Sequence, residues 1–102
     1  MKQMDRIIFV EYRILPEARD TYLTVIKRQL KHRPDVVLYE GTDQPNIFVE
    51  QWLGTTADDY ASLKKLRREG MDGWDEVTAC IAGGVDKLHI WEFQRSPIVP
   101  EE

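Results

Sequence analysis

Residues 85–93, VDKLHIWEF, alternate in a way that leaves neither side for water. His89, Trp91 and Phe93 fall on one side of an extended chain, and Leu88 and Ile90 fall on the other. Gly83 and Gly84 stop whatever comes before, and Pro97 ends whatever comes after. A strand with two such sides predicts the closing member of a small sheet, covered by helices on one face and by something else on the other. Its expected partner is Arg6–Leu15, which alternates in the same way. Ile8, Val10, Tyr12 and Ile14 form one face, which should pack under helices. Ile7, Phe9, Glu11 and Arg13 form the other, mixing aromatic, acid and base.

Between these runs the chain alternates strand and helix signals. Pro16 suits the first turn of a helix, with Glu17 and Asp20 favouring its positive end. That helix runs to about His32, with Ala18, Tyr22, Val25, Ile26, Gln29 and Leu30 as its buried stripe. Pro34 stops it. Asp35–Gly41 reads as a short strand, TDQPN as a hairpin loop, and Ile47–Gly54 as the next strand. On that strand Ile47, Val49, Gln51 and Leu53 share one face, and Phe48, Glu50 and Trp52 the other. Thr55 with Asp58, and Thr56 with Asp59, both look like capping starts for a helix over about 57–69. Tyr60, Leu63 and Leu66 are its inner stripe. Asp72 can cap a shorter helix over 73–82 that carries Trp74, Val77, Thr78 and Ile81. The order strand, helix, strand, strand, helix, strand is the split β-α-β plan. The expected class is α+β: a ferredoxin-like βαββαβ domain over 1–94, its four-stranded antiparallel sheet carrying both helices on one face. An extended tail over 95–102 offers Ile98 and Val99 to a neighbour.

Composition narrows the partners. The 102 residues carry a net charge of -4 with no basic run, so nothing attracts nucleic acid or anionic lipid. Lys64, Lys65, Arg67 and Arg68 share a helix with Asp58, Asp59 and Glu69, and read as a solvated face. No run approaches the ~18 apolar residues of a membrane span, and the start lacks the apolar core of a signal peptide. The single cysteine, Cys80, fits a reducing compartment, so a cytoplasmic protein is expected.

The stretch VEYRILPEARDTY, with YRI-x-P leading straight into a helix, resembles the opening of dimeric α/β-barrel proteins. These include antibiotic-biosynthesis-type monooxygenases and heme-degrading monooxygenase relatives. NIFVEQWLGTTADDY is similar to their second landmark, an apolar strand ending in Glu-x-Trp before a turn and a helix. The resemblance spans Ile7–Phe93. It implies a homodimer in which two sheets pack face to face, with Phe9, Tyr39, Phe48, Trp52 and Trp91 meeting the partner. It also implies a small-molecule pocket between sheet and helices. The Asn, Trp and His of heme-degrading members are not in place. Tyr12 stands at the first position, Leu63 at the second, and GMDGWDE where the histidine would be.

Few residues remain for chemistry. His32 and His89 have no ligand spacing, so no metal site is expected. His32 suits a helix C-terminus. His89, near Glu11 or Glu50, reads either as a base or as a satisfied interface histidine. Glu11, Arg13 and Glu50 project into the barrel interior, as an ion network or as a carboxylate pair. Tyr12, facing Tyr22, Tyr60 and Trp74, is either a phenol donor on a pocket floor or core packing. Two functions stay open. One is cofactor-independent oxidation of a small aromatic or quinol-like substrate, with Tyr12 and His89 as catalytic candidates. The other is a non-catalytic module that binds a small hydrophobic or aromatic ligand, or a protein partner.

Overall fold

Alternation, caps and turn residues place most elements where the pattern puts them. The computed structural model describes residues 5–98. Strand β1 is Arg6–Arg13, and a 3-10 turn at Pro16–Ala18 leads into helix α1, Arg19–Gln29. Strands β2 (Val36–Glu40) and β3 (Ile47–Leu53) form the hairpin. Helix α2 (Ala57–Arg68), the short α3 (Trp74–Thr78) and strand β4 (His89–Gln94) follow. The sheet order is β2-β3-β1-β4 and every pairing is antiparallel. This is the α+β ferredoxin-like plan, with β1 and β4 side by side and β4 at an edge.

Local chemistry explains the boundaries. Of the two capping candidates, Thr56 is the real one. Its hydroxyl accepts from the Asp59 N–H at 3.1 Å, while Asp59 accepts from the Thr56 N–H at 2.8 Å. Asp72 does not cap the short helix, because its own φ is positive and Gly73 takes the cap position. The strand expected from Val85 begins only at His89. Residues 84–87 coil into a 3-10 turn instead, entered through Gly83 at φ +85°. A side chain at Gly83 would meet the Lys87 stem, its Cβ 2.5 Å from Lys87 Cγ. Ile98 is exposed, and Val99 lies outside the described residues.

The core forms between the sheet and the helices. Ile8, Val10, Tyr12 and Ile14 are buried there with Tyr22, Val25 and Ile26 of α1, Leu63 of α2, and Trp74 and Val77 of α3. Register corrects one expectation about β3. Tyr12 pairs with Phe48, Val10 with Glu50 and Ile8 with Trp52, so these residues share the helix-covered face. Phe48, Glu50 and Trp52 therefore do not face a barrel interior; all three are buried within the chain. The opposite face carries Ile7, Phe9, Glu11 and Arg13 of β1, Val37 and Tyr39 of β2, and His89, Trp91 and Phe93 of β4. Among the described residues no helix covers it. Phe9 packs against Trp91 at 6.3 Å and Phe93 at 5.9 Å between ring centroids.

Candidate functional site

A carboxylate in the middle of an apolar strand must find a cation or a set of donors. Glu50, on the buried face of β3, finds both. Arg67 reaches it from α2 with Nη1 donating to Oε1 at 2.6 Å and Nη2 to Oε2 at 3.0 Å. Trp52 Nε1 donates to Oε1 at 2.9 Å, and the Tyr12 hydroxyl donates to Oε2 at 2.5 Å. The Tyr12 proton is thereby spent, so Tyr22, with its oxygen 2.7 Å away, donates to Tyr12. Trp74 of α3 completes the set, its ring 3.9 Å from the Arg67 guanidinium carbon. Glu50 is 0% and Arg67 1% exposed.

Sequence periodicity grouped Arg67 with a solvated face, and the structure overturns that. Tyr60, Leu63 and Arg67 lie three and four residues apart, which is one helix stripe. A buried glutamate between Phe48 and Trp52 was the signal that the stripe must carry a cation.

The electrostatics suit a brace. Burial opposes the Arg67 charge, but Glu50 more than offsets this and raises the guanidinium above its ordinary value. Burial, then the Glu50 charge, push the Tyr12 phenol well above its ordinary range. Burial raises Tyr22 as well. Glu50 accepts four hydrogen bonds, which is about the capacity of a carboxylate. It has no lone pair left for base work. Tyr12, Tyr22 and Trp74 are thus brought together, but the hydroxyls are enclosed. Tyr60 stands apart, its hydroxyl donating to the Ile90 carbonyl at 3.3 Å.

Two concavities flank this brace. One, of about 470 Å³, lies at an end of the sheet and is bordered by Glu11, Tyr12, Arg13, Ile47, Lys87 and His89. His89 pairs with Glu11 across β1 and β4 and stacks on Trp91 at 5.6 Å. It is on the uncovered face, whereas the Tyr12 hydroxyl is under the helices. Glu50 is therefore not its neighbour. The other pocket, of about 290 Å³, opens between the sheet and α2. Ile8, Trp52, Leu63 and Leu66 supply apolar walls; Arg33, Asp35 and Thr55 are among its polar ones. Thr55 is 6% exposed, and among the described residues its hydroxyl has no hydrogen-bond partner. None of Arg33, Asp35 or Thr55 was singled out as a binding residue from sequence. Thr55 looked like a helix cap, and only its displacement by Thr56 frees its hydroxyl.

Among the described residues no cluster of three His, Cys, Asp or Glu could hold a metal. No helix there is long and apolar enough to cross a membrane. Cys80 is buried, its thiol raised by burial and donating to the Glu76 carbonyl at 3.4 Å.

No family model and no curated protein sequence matches the chain. Solved structures do. A conserved protein from Methanosarcina mazei Go1 is similar over 91% of this chain and 95% of its own, with 22% identity and a TM-score of 0.53. A candidate antibiotic biosynthesis monooxygenase from Bacteriodes thetaiotaomicron VPI-5482 is similar over 95% and 92%, with 16% identity and a TM-score of 0.51. At these identities the likeness is one of fold: the chain shares its ferredoxin-like fold with both structures.

Proposed function

We propose that the chain is a small-molecule-binding homodimer that holds its ligand between the sheet and α2. The observation that carries this is the pocket of about 290 Å³ there, where the apolar Ile8, Trp52, Leu63 and Leu66 meet the polar side chains of Arg33 and Asp35. A concavity that combines apolar walls with a few convergent polar groups is the usual setting for a small ligand. The uncovered aromatic face supports the dimer, since a contiguous apolar patch of that kind marks an association surface. The free Cys80 fits a reducing, cytoplasmic setting.

The second reading is cofactor-independent oxidation of a quinol-like substrate. It is supported by the cleft that Tyr12 and His89 both border, and by the likeness to a candidate monooxygenase. Against it stands the enclosed Tyr12 hydroxyl, already donating to Glu50. Two experiments separate the readings. A thermal-shift screen with small neutral and amphipathic compounds should give stabilising hits that Leu63→Trp, which fills the pocket, abolishes. Aerobic incubation with a hydroquinone panel should give no turnover. Turnover lost in Tyr12→Phe or His89→Ala would replace binding by catalysis. A screen without any stabilising compound would remove the binding reading.

A further inference from the structure

The walls of the pocket between the sheet and α2 carry a specific charge arrangement. Arg33 and Asp35 both border it, two residues apart, yet they form no ion pair with each other. Among the described residues neither side chain has a hydrogen-bond or ion-pair partner. Arg6, Arg19, Arg28 and Arg67 each hold a carboxylate. The backbone around the pair is fixed. The Arg33 carbonyl accepts from Val36 at 3.1 Å, and the Asp35 carbonyl accepts from Leu53 at 2.9 Å. Arg33 is also held by the indole below it, its guanidinium carbon 5.2 Å from the Trp52 ring centroid. The third charge on the wall, Asp59, is already committed to the Thr56 N–H.

Arg33 and Asp35, one cation and one anion, are therefore the two wall charges without a hydrogen-bond or ion-pair partner among the described residues. A ligand carrying both charges satisfies both. Ile8, Trp52, Leu63 and Leu66 line the same pocket. The volume, about 290 Å³, is at the small end for ligand sites, which run roughly 300–1,000 Å³. That suits a single small molecule.

We propose that the occupant is a free apolar α-amino acid. Its carboxylate lies on Arg33, its ammonium on Asp35, and its side chain against Trp52, Leu63 and Leu66. A guanidinium matches a carboxylate with two parallel hydrogen bonds, and the stacking on Trp52 holds it ready to do so. The charged end stays at the rim, where Arg33 is exposed and Asp35 half-buried, so little desolvation opposes binding. This inference rests on the pocket being a ligand site, and its test separates the two.

Titration calorimetry on the purified full chain would compare L-phenylalanine and L-leucine with two analogues. 3-Phenylpropionate lacks the ammonium and phenethylamine lacks the carboxylate. The amino acids should bind saturably, and each analogue at least tenfold more weakly. Arg33→Met should remove the advantage of the carboxylate, and Asp35→Asn that of the ammonium. Both changes lie at the pocket rim and leave the core intact. If the analogues bind as tightly as the amino acids, the zwitterion assignment is wrong while the ligand site stands. If no amino acid or analogue binds but other compounds stabilise the chain through Leu63→Trp-sensitive binding, the class is again wrong. If nothing binds at all, the ligand site falls with it.

Discussion

At the scale of single residues, the buried pair Glu50 and Arg67 decides how this core tolerates change. Both are sealed from water, and each is neutralised chiefly by the other. Removing one partner strands the other charge. Arg67→Met should therefore destabilise the fold by about 3–5 kcal/mol, read as a fall in the urea midpoint. Adding Glu50→Leu should recover much of that loss, because the stranded charge is gone. A double variant no better than Arg67→Met would mean that shape, and not charge, was lost. The tyrosines above the pair give a second expectation. Tyr12 and Tyr22 have phenol pKa values raised above the ordinary 10.0. The unfolded chain ionises near 10.0 and the folded one does not, so stability is fully present below that pH. It should fall as pH rises through and above 10. In Tyr12→Phe/Tyr22→Phe the alkaline slope of the urea midpoint should flatten, even though the variant starts less stable.

At the scale of elements, one ion pair ties α1 to the β2–β3 hairpin. Arg19 donates to Glu40 at 2.6 and 3.0 Å and to the Asn46 side chain at 2.7 Å, and the Asn46 N–H donates to Glu40 at 3.0 Å. Arg19, then the Asn46 N–H, lower the Glu40 carboxyl to about 2 from its ordinary 4.5. The stability this lends is present above pH 4.5 and fades as pH falls toward 2. Glu40→Gln should therefore shrink the acid-side loss of stability over that window, by a small amount, since the pair is in water. An unchanged acid limb would show that the pair contributes nothing. The elements themselves were legible from alternation, from Pro16 and Pro34, and from the Thr56–Asp59 box. The faces of β3 were not. Period two puts Phe48, Glu50 and Trp52 together, but only the pairing of Tyr12 with Phe48 shows which layer they join. The site was less legible still. Arg67 was hidden among lysines and arginines, and Arg33, Asp35 and Thr55 meet only once β2, β3 and α2 are packed.

At the scale of the whole molecule, the sheet has one face served by this chain's own helices and one that no helix covers among the described residues. Trp91 is 43%, Phe93 50% and Tyr39 52% exposed, all on that second face. Trp91 and Phe93 are joined through Phe9, so they form a patch and not scattered exposures, and Tyr39 lies on the same face two strands from Phe9. In the proposed dimer a second copy would present the same patch, and a two-fold axis would join the two without leaving an open end. Sedimentation at micromolar concentration should therefore give twice the chain mass of 12.0 kDa. Trp91→Glu places a charge in the middle of the contact and should yield a monomer. Because Trp91 points away from the helices, its circular dichroism and the Glu50–Arg67 brace should survive. The pocket proposed to take an amino acid lies on the helix side, so the monomer should still bind the amino acids used in the titration. A wild-type particle of one chain mass, with the Trp91 indole open to a soluble quencher, would leave the face without its proposed cover.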